Sequence, residues 1–286
     1  MKLTCEGTDT STGEEVAVKL IDLRRDRGGY GRGLQDEAET YKALAGIVGI
    51  PRVHWIGTEG NYSVLVLPLL GPSLEDLFSY CNKRFSLKTI LLIADQAISL
   101  LERIHNHFLH RDVKPENFLL GVGEHGNTLY AIDFGLANEF SDGSRADVRR
   151  GLTYALPFGG TSTFASVDTH KGLEQSWADD LQSLGYMFVY FARGSLPWEN
   201  LRTRASMQEK KEELSGEELC RGVLPAEFVE YIDYTRSLEF RVKPDYERLR
   251  DLFRSRFEAE GFEYDNVFDW TVKRFHEIHG TTSDMA

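Results

Sequence analysis

The chain has 286 residues, 41% of them hydrophobic and 27% charged, a globular balance that excludes a disordered, collagen-like or low-complexity chain. Its 33 Lys and Arg against 45 Asp and Glu leave a net charge of −12, which disfavours a nucleic-acid binder because phosphate backbones call for a basic face. The longest apolar run, Val64 to Leu70, contains Pro68 and falls far short of the roughly 18 residues that span a bilayer.

Met1 to Glu6 contains no apolar signal core. Val16 to Ile21 is a short β-branched run after the turn signal Ser11-Thr12-Gly13 and reads as a strand. Gly28 to Gly33 reads as a loop, and Leu34 to Leu44, free of Gly and Pro, as a helix. Pro51 to Leu67 holds two strand-like runs broken at Gly57 to Asn61. Leu70-Gly71-Pro72-Ser73 breaks the composition and is the candidate hinge between two lobes. Beyond it the period changes. Ser73 is placed to cap a helix from Leu74, with Asp76 at the capping-box position. Leu87 to Ile104 is too apolar for a surface helix and reads as the core of a second lobe. Asp179 to Phe191, Pro225 to Leu238 and Pro244 to Glu260 also read as helices, and Gly280 to Ala286 as a frayed tail. The expectation is an α+β chain: a small strand-rich lobe over residues 1–70 and a larger helical lobe over 71–279.

The chemistry sits in three motifs in fixed order. His110-Arg111-Asp112-Val113-Lys114-Pro115-Glu116-Asn117 fits the phosphoryl-transfer loop H-R-D-x-x-x-x-N. Asp133-Phe134-Gly135 follows 21 residues after Asp112, and Val16-Ala17-Val18-Lys19 precedes both on a predicted strand. Alone, Lys19 is an ordinary surface lysine and Asp133 a turn aspartate; together and in order, the three are specific. A phosphoryl group in flight spreads negative charge over its oxygens, so the protein mainly positions and neutralises. Lys19 suits the α and β phosphates as a point charge, and Lys114 the γ-phosphate. Asp133 and Asn117 offer the hard oxygen ligands magnesium prefers. Asp112 is the candidate base for the attacking hydroxyl.

The chain resembles the casein kinase I family of serine/threonine protein kinases. Leu69 to Phe78, Leu109 to Leu119, Gly185-Tyr186 with Arg193 to Trp198, and Val267-Phe268-Asp269-Trp270 carry the resemblance, with Phe164 to His170 standing where most kinases have Ala-Pro-Glu. It covers about Thr12 to Phe275 and implies a two-lobed kinase fold, ATP with Mg2+, and transfer to Ser or Thr of acidic protein substrates. By position it also implies Glu37, in preference to Glu39, as the partner of Lys19. Leu67 takes the gatekeeper position. The Pro68 carbonyl and the Leu70 amide face the adenine, and Pro68 loses only a donor that role does not need. Asp180 holds the catalytic loop through its backbone. A monomer in the cytoplasm, or also the nucleus, goes with these features.

The resemblance breaks in two places. The family's first strand and glycine-rich loop are missing, since only six residues precede Gly7. Gly29-Tyr30-Gly31-Arg32-Gly33 does not replace the loop: Leu34 stands where the third Gly is needed, and the stretch follows Lys19. Two alternatives to an active enzyme therefore stand open, a truncated product and a catalytically impaired pseudokinase or scaffold. Second, Thr163 replaces an arginine of the family's anion site, and the basic cluster after Trp198 thins to Arg202, Arg204, Lys210 and Lys211. Both changes predict a weakened preference for phospho-primed substrates, unless Arg149 and Arg150 supply the charge. Thr153, Thr161 and Thr163 are candidate phosphosites. Lys210-Lys211 before Glu212-Glu213 reads as a solvated helix face. Phe253, Phe257, Phe262 and Trp270 read as core; His105, His107 and His110 cluster near the catalytic loop, with His110 a packed orienter and no metal site expected there. Cys5, Cys81 and Cys220, odd in number and widely spaced, read as plain thiols of a reducing compartment.

Overall fold

The computed structural model describes residues 2–24, 30–140 and 161–280. Four strands form an antiparallel sheet of order β1-β2-β4-β3: β1 (Lys2–Thr8), β2 (Glu15–Asp22), β3 (Trp55–Glu59) and β4 (Tyr62–Pro68). In that register Lys19 of β2 lies between Thr4 of β1 and Leu65 of β4. One helix, α1 (Tyr30–Ala43), packs on the sheet and buries Leu34, Ala38 and Tyr41 along one face.

Two sequence expectations are corrected here. The stretch Gly28 to Gly33 is not all loop, because α1 begins at Tyr30 and holds Gly31 and Gly33 in its first turn. The cost of glycine in a helix, about 1 kcal/mol each, is outweighed by the apolar face that follows. Residues 25–29 lie outside the described set. Gly57 is not a strand break either. A Cβ at Gly57 would stand 2.5 Å from the Trp55 ring, so glycine lets β3 continue beneath the indole to Glu59.

Helices dominate after Pro72. Ser73 caps α2 (Leu74–Tyr80), with Asp76 closing the capping box, and α3 (Leu87–Ile104) follows. Short strands then frame the motif loops. These are β5 (Phe108–Leu109), paired with β8 (Asn138–Glu139), and the hairpin β6 (Phe118–Leu120) with β7 (Leu129–Ala131). The remaining helices are α4 (Val167–His170), α5 (Trp177–Arg193), α6 (Arg204–Glu213), α7 (Gly216–Cys220), α8 (Ala226–Ser237), α9 (Tyr246–Ala259) and α10 (Asp269–Gly280). Nearly every side chain of α5 is buried, and its buried Asp179 and Asp180 are held by hydrogen bonds. Phe188 of α5, Phe228 and Tyr231 of α8, and Phe253 of α9 meet with centroids 4.6 to 5.8 Å apart, an edge-and-tilt packing that holds the large lobe together. Phe257 and Trp270 join the core and Phe262 packs against it. All three cysteines are free thiols. Among the described residues, no helix is long and apolar enough to cross a membrane, and no cluster of three His, Cys, Asp or Glu is disposed to hold a metal.

Candidate active site

A cleft of about 820 Å3 opens between the sheet and the helical lobe. Its roof includes Ala17 and Lys19 of β2 with Thr4, Cys5 and Glu6 of β1. Its back is the segment Leu67 to Pro72, and its floor includes Asn117, Leu119, Ile132 and Asp133. The segment from β4 to α2 is stitched down by its amides: Leu69 donates to the Glu15 carbonyl at 3.3 Å and Gly71 to the Leu120 carbonyl at 2.8 Å. Leu70, between them, donates to no carbonyl among the described residues. Gly71 is required sterically, since a Cβ there would lie 2.8 Å from the Gly121 carbonyl oxygen.

Lys19 is 8% exposed and Glu37 2%. The lysine Nζ donates to both Glu37 carboxylate oxygens, at 2.5 and 2.6 Å, and to Asp133 Oδ1 at 2.9 Å. β2 presents the cation, and α1 the anion that orients it. Glu39 lies on the exposed face of α1 and accepts from Gln35. Asp133 sits at φ +63°, a left-handed conformation that costs a non-glycine residue of the order of 1–3 kcal/mol and persists only where neighbours over-determine it. The Tyr41 hydroxyl accepts from the Asp133 amide at 2.9 Å, and the Tyr41 ring meets Phe134 edge-on at 4.9 Å. Tyr41 lies one turn beyond Glu37, so one helix face holds both the Lys19 partner and the support of Asp133.

Asp112 stands opposite. Its Oδ2 accepts from Lys114 Nζ at 2.6 Å and from Asn117 Nδ2 at 3.1 Å, and its Oδ1 from the Thr161 amide at 3.0 Å. Those donors fill both sites on Oδ2, and Oδ1, which the Thr161 hydroxyl approaches only at 3.5 Å, keeps a lone pair for a further hydrogen bond. Asn117 Nδ2 also donates to the Asp112 carbonyl at 2.8 Å. With its nitrogen committed, the amide oxygen is the end left for a cation. Asn117 and Asp133 thus place hard oxygen donors on the same cleft floor.

The loop that carries Asp112 is held from below by Asp180 of α5. Its carboxylate accepts from the amides of His110, at 2.7 Å, and Arg111, at 2.9 Å, and meets His105 Nε2 at 3.0 Å. Burial pushes the Asp180 carboxyl up, but the His105 hydrogen bond and the charges of His105 and His110 prevail and hold it below the ordinary aspartate range. His110 is fully buried beside Phe134, 5.1 Å between centroids, with Nε2 3.1 Å from the Ile132 carbonyl. Arg111 Nε donates to Gln175.

The structure also brings in residues that motif reasoning missed. The Thr161 amide completes the donors around Asp112; in the sequence Thr161 stands out only as a phosphosite candidate, and Thr153 lies outside the described residues. Lys211 is no part of a solvated face. It is 0% exposed, and its Nζ donates to the carbonyls of Ser162 at 2.8 Å and Ala165 at 2.7 Å. Arg204 turns to the carbonyl of His170 at 3.1 Å. Of the four cations after Trp198, two therefore serve the main chain of the segment before α5. Thr163 lies in that segment, its carbonyl accepting from Trp198 Nε1 at 2.7 Å. Arg149 and Arg150 lie outside the described residues.

The cleft therefore gathers an oriented lysine and the side-chain oxygens of Asn117 and Asp133, and Asn117 is hydrogen-bonded to a carboxylate with spare hydrogen-bonding capacity, that of Asp112. Residues 4–239 match the family model described as Protein kinase domain. That span includes every residue of this constellation and most of the chain, and the fold around it has two lobes, strand-rich and helical: the chain belongs to the protein kinase family.

Proposed function

We propose that the chain is an ATP-dependent serine/threonine protein kinase of casein kinase I type. One observation carries this reading. Lys19, Glu37 and Asp133 are hydrogen-bonded on one side of the cleft, and Asp112, Lys114 and Asn117 on the other. This set holds the side-chain types that phosphoryl transfer calls for, fixed in place by hydrogen bonds, and it supports the reading.

The roles follow from the contacts. Lys19, aimed by Glu37, meets the α and β phosphates. The Pro68 carbonyl and the Leu70 amide take the adenine edge beside Leu67, the Leu70 amide meeting no carbonyl among the described residues. The donor set suits magnesium, which binds through one or two protein oxygens and keeps waters and phosphate oxygens for the rest; Asp133 and Asn117 would hold it. Magnesium bound there supplies neutralisation of phosphate charge. Asp112 accepts the proton of the acceptor hydroxyl as its oxygen bonds to the γ-phosphorus and the bond to the bridging oxygen of ADP breaks. Lys114, hydrogen-bonded to that carboxylate, lies where it can also offset the charge of the moving group.

The casein kinase I type is supported by the segments Leu69 to Phe78, Leu109 to Leu119 and Phe164 to His170. We assign residues 1–70 to the small lobe, 71–279 to the large lobe and 280–286 to a tail. The enzyme is taken to act as a cytoplasmic, and also nuclear, monomer on acidic proteins. Preference for phospho-primed acceptors is reduced, because Thr163 brings no charge and Arg204 and Lys211 are turned to carbonyls.

The test is transfer from labelled ATP with Mg2+ to casein and to matched primed and unprimed peptides, with Asp112→Asn and Asp133→Asn beside the unaltered chain. Asp112→Asn is expected to lower kcat by about 10²–10⁴-fold, the usual worth of a positioned base, with ATP affinity retained. Asp133→Asn is expected to abolish metal-dependent transfer. A folded unaltered chain that transfers nothing would overturn the enzyme reading. A large advantage for primed peptides would overturn the acceptor preference.

A further inference from the structure

Lys211 has no part in the phosphate chemistry, yet it is wholly buried in a helix that is otherwise strongly polar. Its Nζ lies 5.2 Å from the ring centre of Tyr186 and 5.0 Å from that of Trp198, and 3.0 Å from His170 Nε2. Arg236 faces it from α8, donating to the Lys211 carbonyl at 3.2 Å and to the Tyr186 hydroxyl at 3.4 Å. Arg204 faces the same segment from the first turn of α6. Burial, then the charge of Arg236, push the Lys211 amine down to about 6. His170 is pushed down to about 4 by burial and then by Lys211. Burial thus favours the neutral amine, whose hydrogens face two carbonyls, Ser162 and Ala165.

Those carbonyls belong to a segment tied at almost every residue. The Thr161 amide meets Asp112 Oδ1, the Ser162 and Ala165 carbonyls meet Lys211, the Thr163 carbonyl meets Trp198, and the Ser166 hydroxyl donates to Asp179. Phe164 is buried against Tyr190, 5.5 Å between centroids. The segment joins Asp112 to the face of the large lobe made by α4 and α6. Burying an amine is costly, and an apolar side chain would fill the same volume without that cost. The two carbonyls explain the lysine.

We propose that Lys211 is a positioning residue for the acceptor side of the transfer site: by holding the Ser162 and Ala165 carbonyls from beneath, it fixes Thr161 against Asp112 and so sets how the acceptor hydroxyl meets that carboxylate. It touches neither the cleft nor Asp112. That role presupposes Asp112 as the base in the reaction proposed above.

The test compares the full chain with Lys211→Met, which keeps volume and removes the donor, and with Lys210→Met, its exposed neighbour. Three quantities are read: steady-state kinetics for acceptor and for ATP, amide hydrogen exchange over residues 161–166, and the thermal midpoint. In Lys211→Met, kcat/KM for a peptide acceptor falls by about ten- to a hundredfold, the usual penalty for slight misplacement of a reacting group. KM for ATP stays within about twofold, because uniform nucleotide binding is untouched. Exchange over 161–166 quickens, and the midpoint changes little, because relief of a buried amine offsets the cost of the two orphaned carbonyls. Lys210→Met, whose exposed amine pairs with Glu213 at 2.8 Å, matches the unaltered chain in exchange over 161–166, in midpoint and in KM for ATP. Unchanged exchange and acceptor kinetics in Lys211→Met would overturn the role. So would losses in which acceptor kinetics, ATP binding and thermal midpoint fall together, the pattern of a merely structural residue. Transfer by the unaltered chain reports on the enzyme reading alone. Exchange judges Lys211 even if that chain transfers nothing.

Discussion

Arg111 holds a left-handed backbone at φ +67°, a conformation that costs a non-glycine residue of the order of 1–3 kcal/mol unless its surroundings impose it. Asp180 imposes it by accepting the amides of His110 and Arg111 on separate oxygens. Asn at this position would turn an NH2 group toward one of those donors. Asp180→Asn is therefore expected to cost about 2–4 kcal/mol, the range for orphaning buried hydrogen-bonding groups. It should lower kcat more than it weakens ATP binding, since the loop that aims Asp112 is loosened while the cleft roof is not. Chemical denaturation and steady-state kinetics of the variant check both. The sign of the pH effect follows from the folded carboxyl lying below its ordinary value of 3.8. Its stabilisation is present above that value and is lost as pH falls through the folded pKa. Acid denaturation below about pH 4 should thus be shallower in Asp180→Asn than in the unaltered chain; equal acid slopes would show that this carboxylate does not carry the effect. Asp112, Asn117 and Asp133 were legible in the sequence because each lies in a contiguous motif. Lys211 was not, because its partners lie 49 and 46 positions away and its neighbours Lys210, Glu212 and Glu213 make the local pattern look solvated.

Among the elements, the link from β4 to α2 was readable because Gly71-Pro72-Ser73 is a local signal, and Ser73 with Asp76 forms the capping box its spacing implies. The register of β2 between β1 and β4 was not, because strand pairing is set by contacts distant in sequence. The link also joins the small lobe to β6 through Gly71. With the Gly121 oxygen 2.8 Å and the Leu120 oxygen 3.1 Å from where a Cβ would sit, and both of them backbone, no side chain can yield. Gly71→Ala must therefore shift the link itself. Overpacking of this kind costs about 1–3 kcal/mol, and the displaced residue beside it is Leu70, whose amide is proposed to meet the adenine. The expected signature is a KM for ATP raised by about tenfold, equal to 1.4 kcal/mol, with KM for the acceptor unchanged. That is the reverse of the split expected for Lys211→Met. An acceptor KM that rises while ATP is unaffected would place Gly71 on the wrong side of the site.

At the scale of the molecule, the two lobes are unequal. The large lobe is locked by aromatic packing across α5, α8 and α9, whereas the small one is a four-stranded sheet with a single described helix and β1 exposed along one edge. The change from strand runs to long apolar helices made this division legible, since each period marks how its element buries a face. What joins the lobes at the site, Lys19 to Asp133 and Tyr41 to Asp133, spans 114 and 92 positions and leaves no local trace. Its smaller share of the buried core and its edge strand make the small lobe the part expected to open first. A ligand bound in the cleft touches both lobes and binds only the folded state, so it stabilises by about 2.7 kcal/mol at a hundred times its Kd. The gain should fall on the weaker partner. Addition of ATP with Mg2+ is expected to slow amide exchange in β2, β4 and α1 strongly, and to leave α5 and α8, already closed by their own packing, nearly unchanged. Lys19→Met, which removes the bridge to Glu37 and Asp133, should lose most of that protection while keeping the exchange pattern of the large lobe. Uniform protection across both lobes would mean that the chain opens as one unit. No protection in β2 and α1 would mean that the nucleotide does not use Lys19.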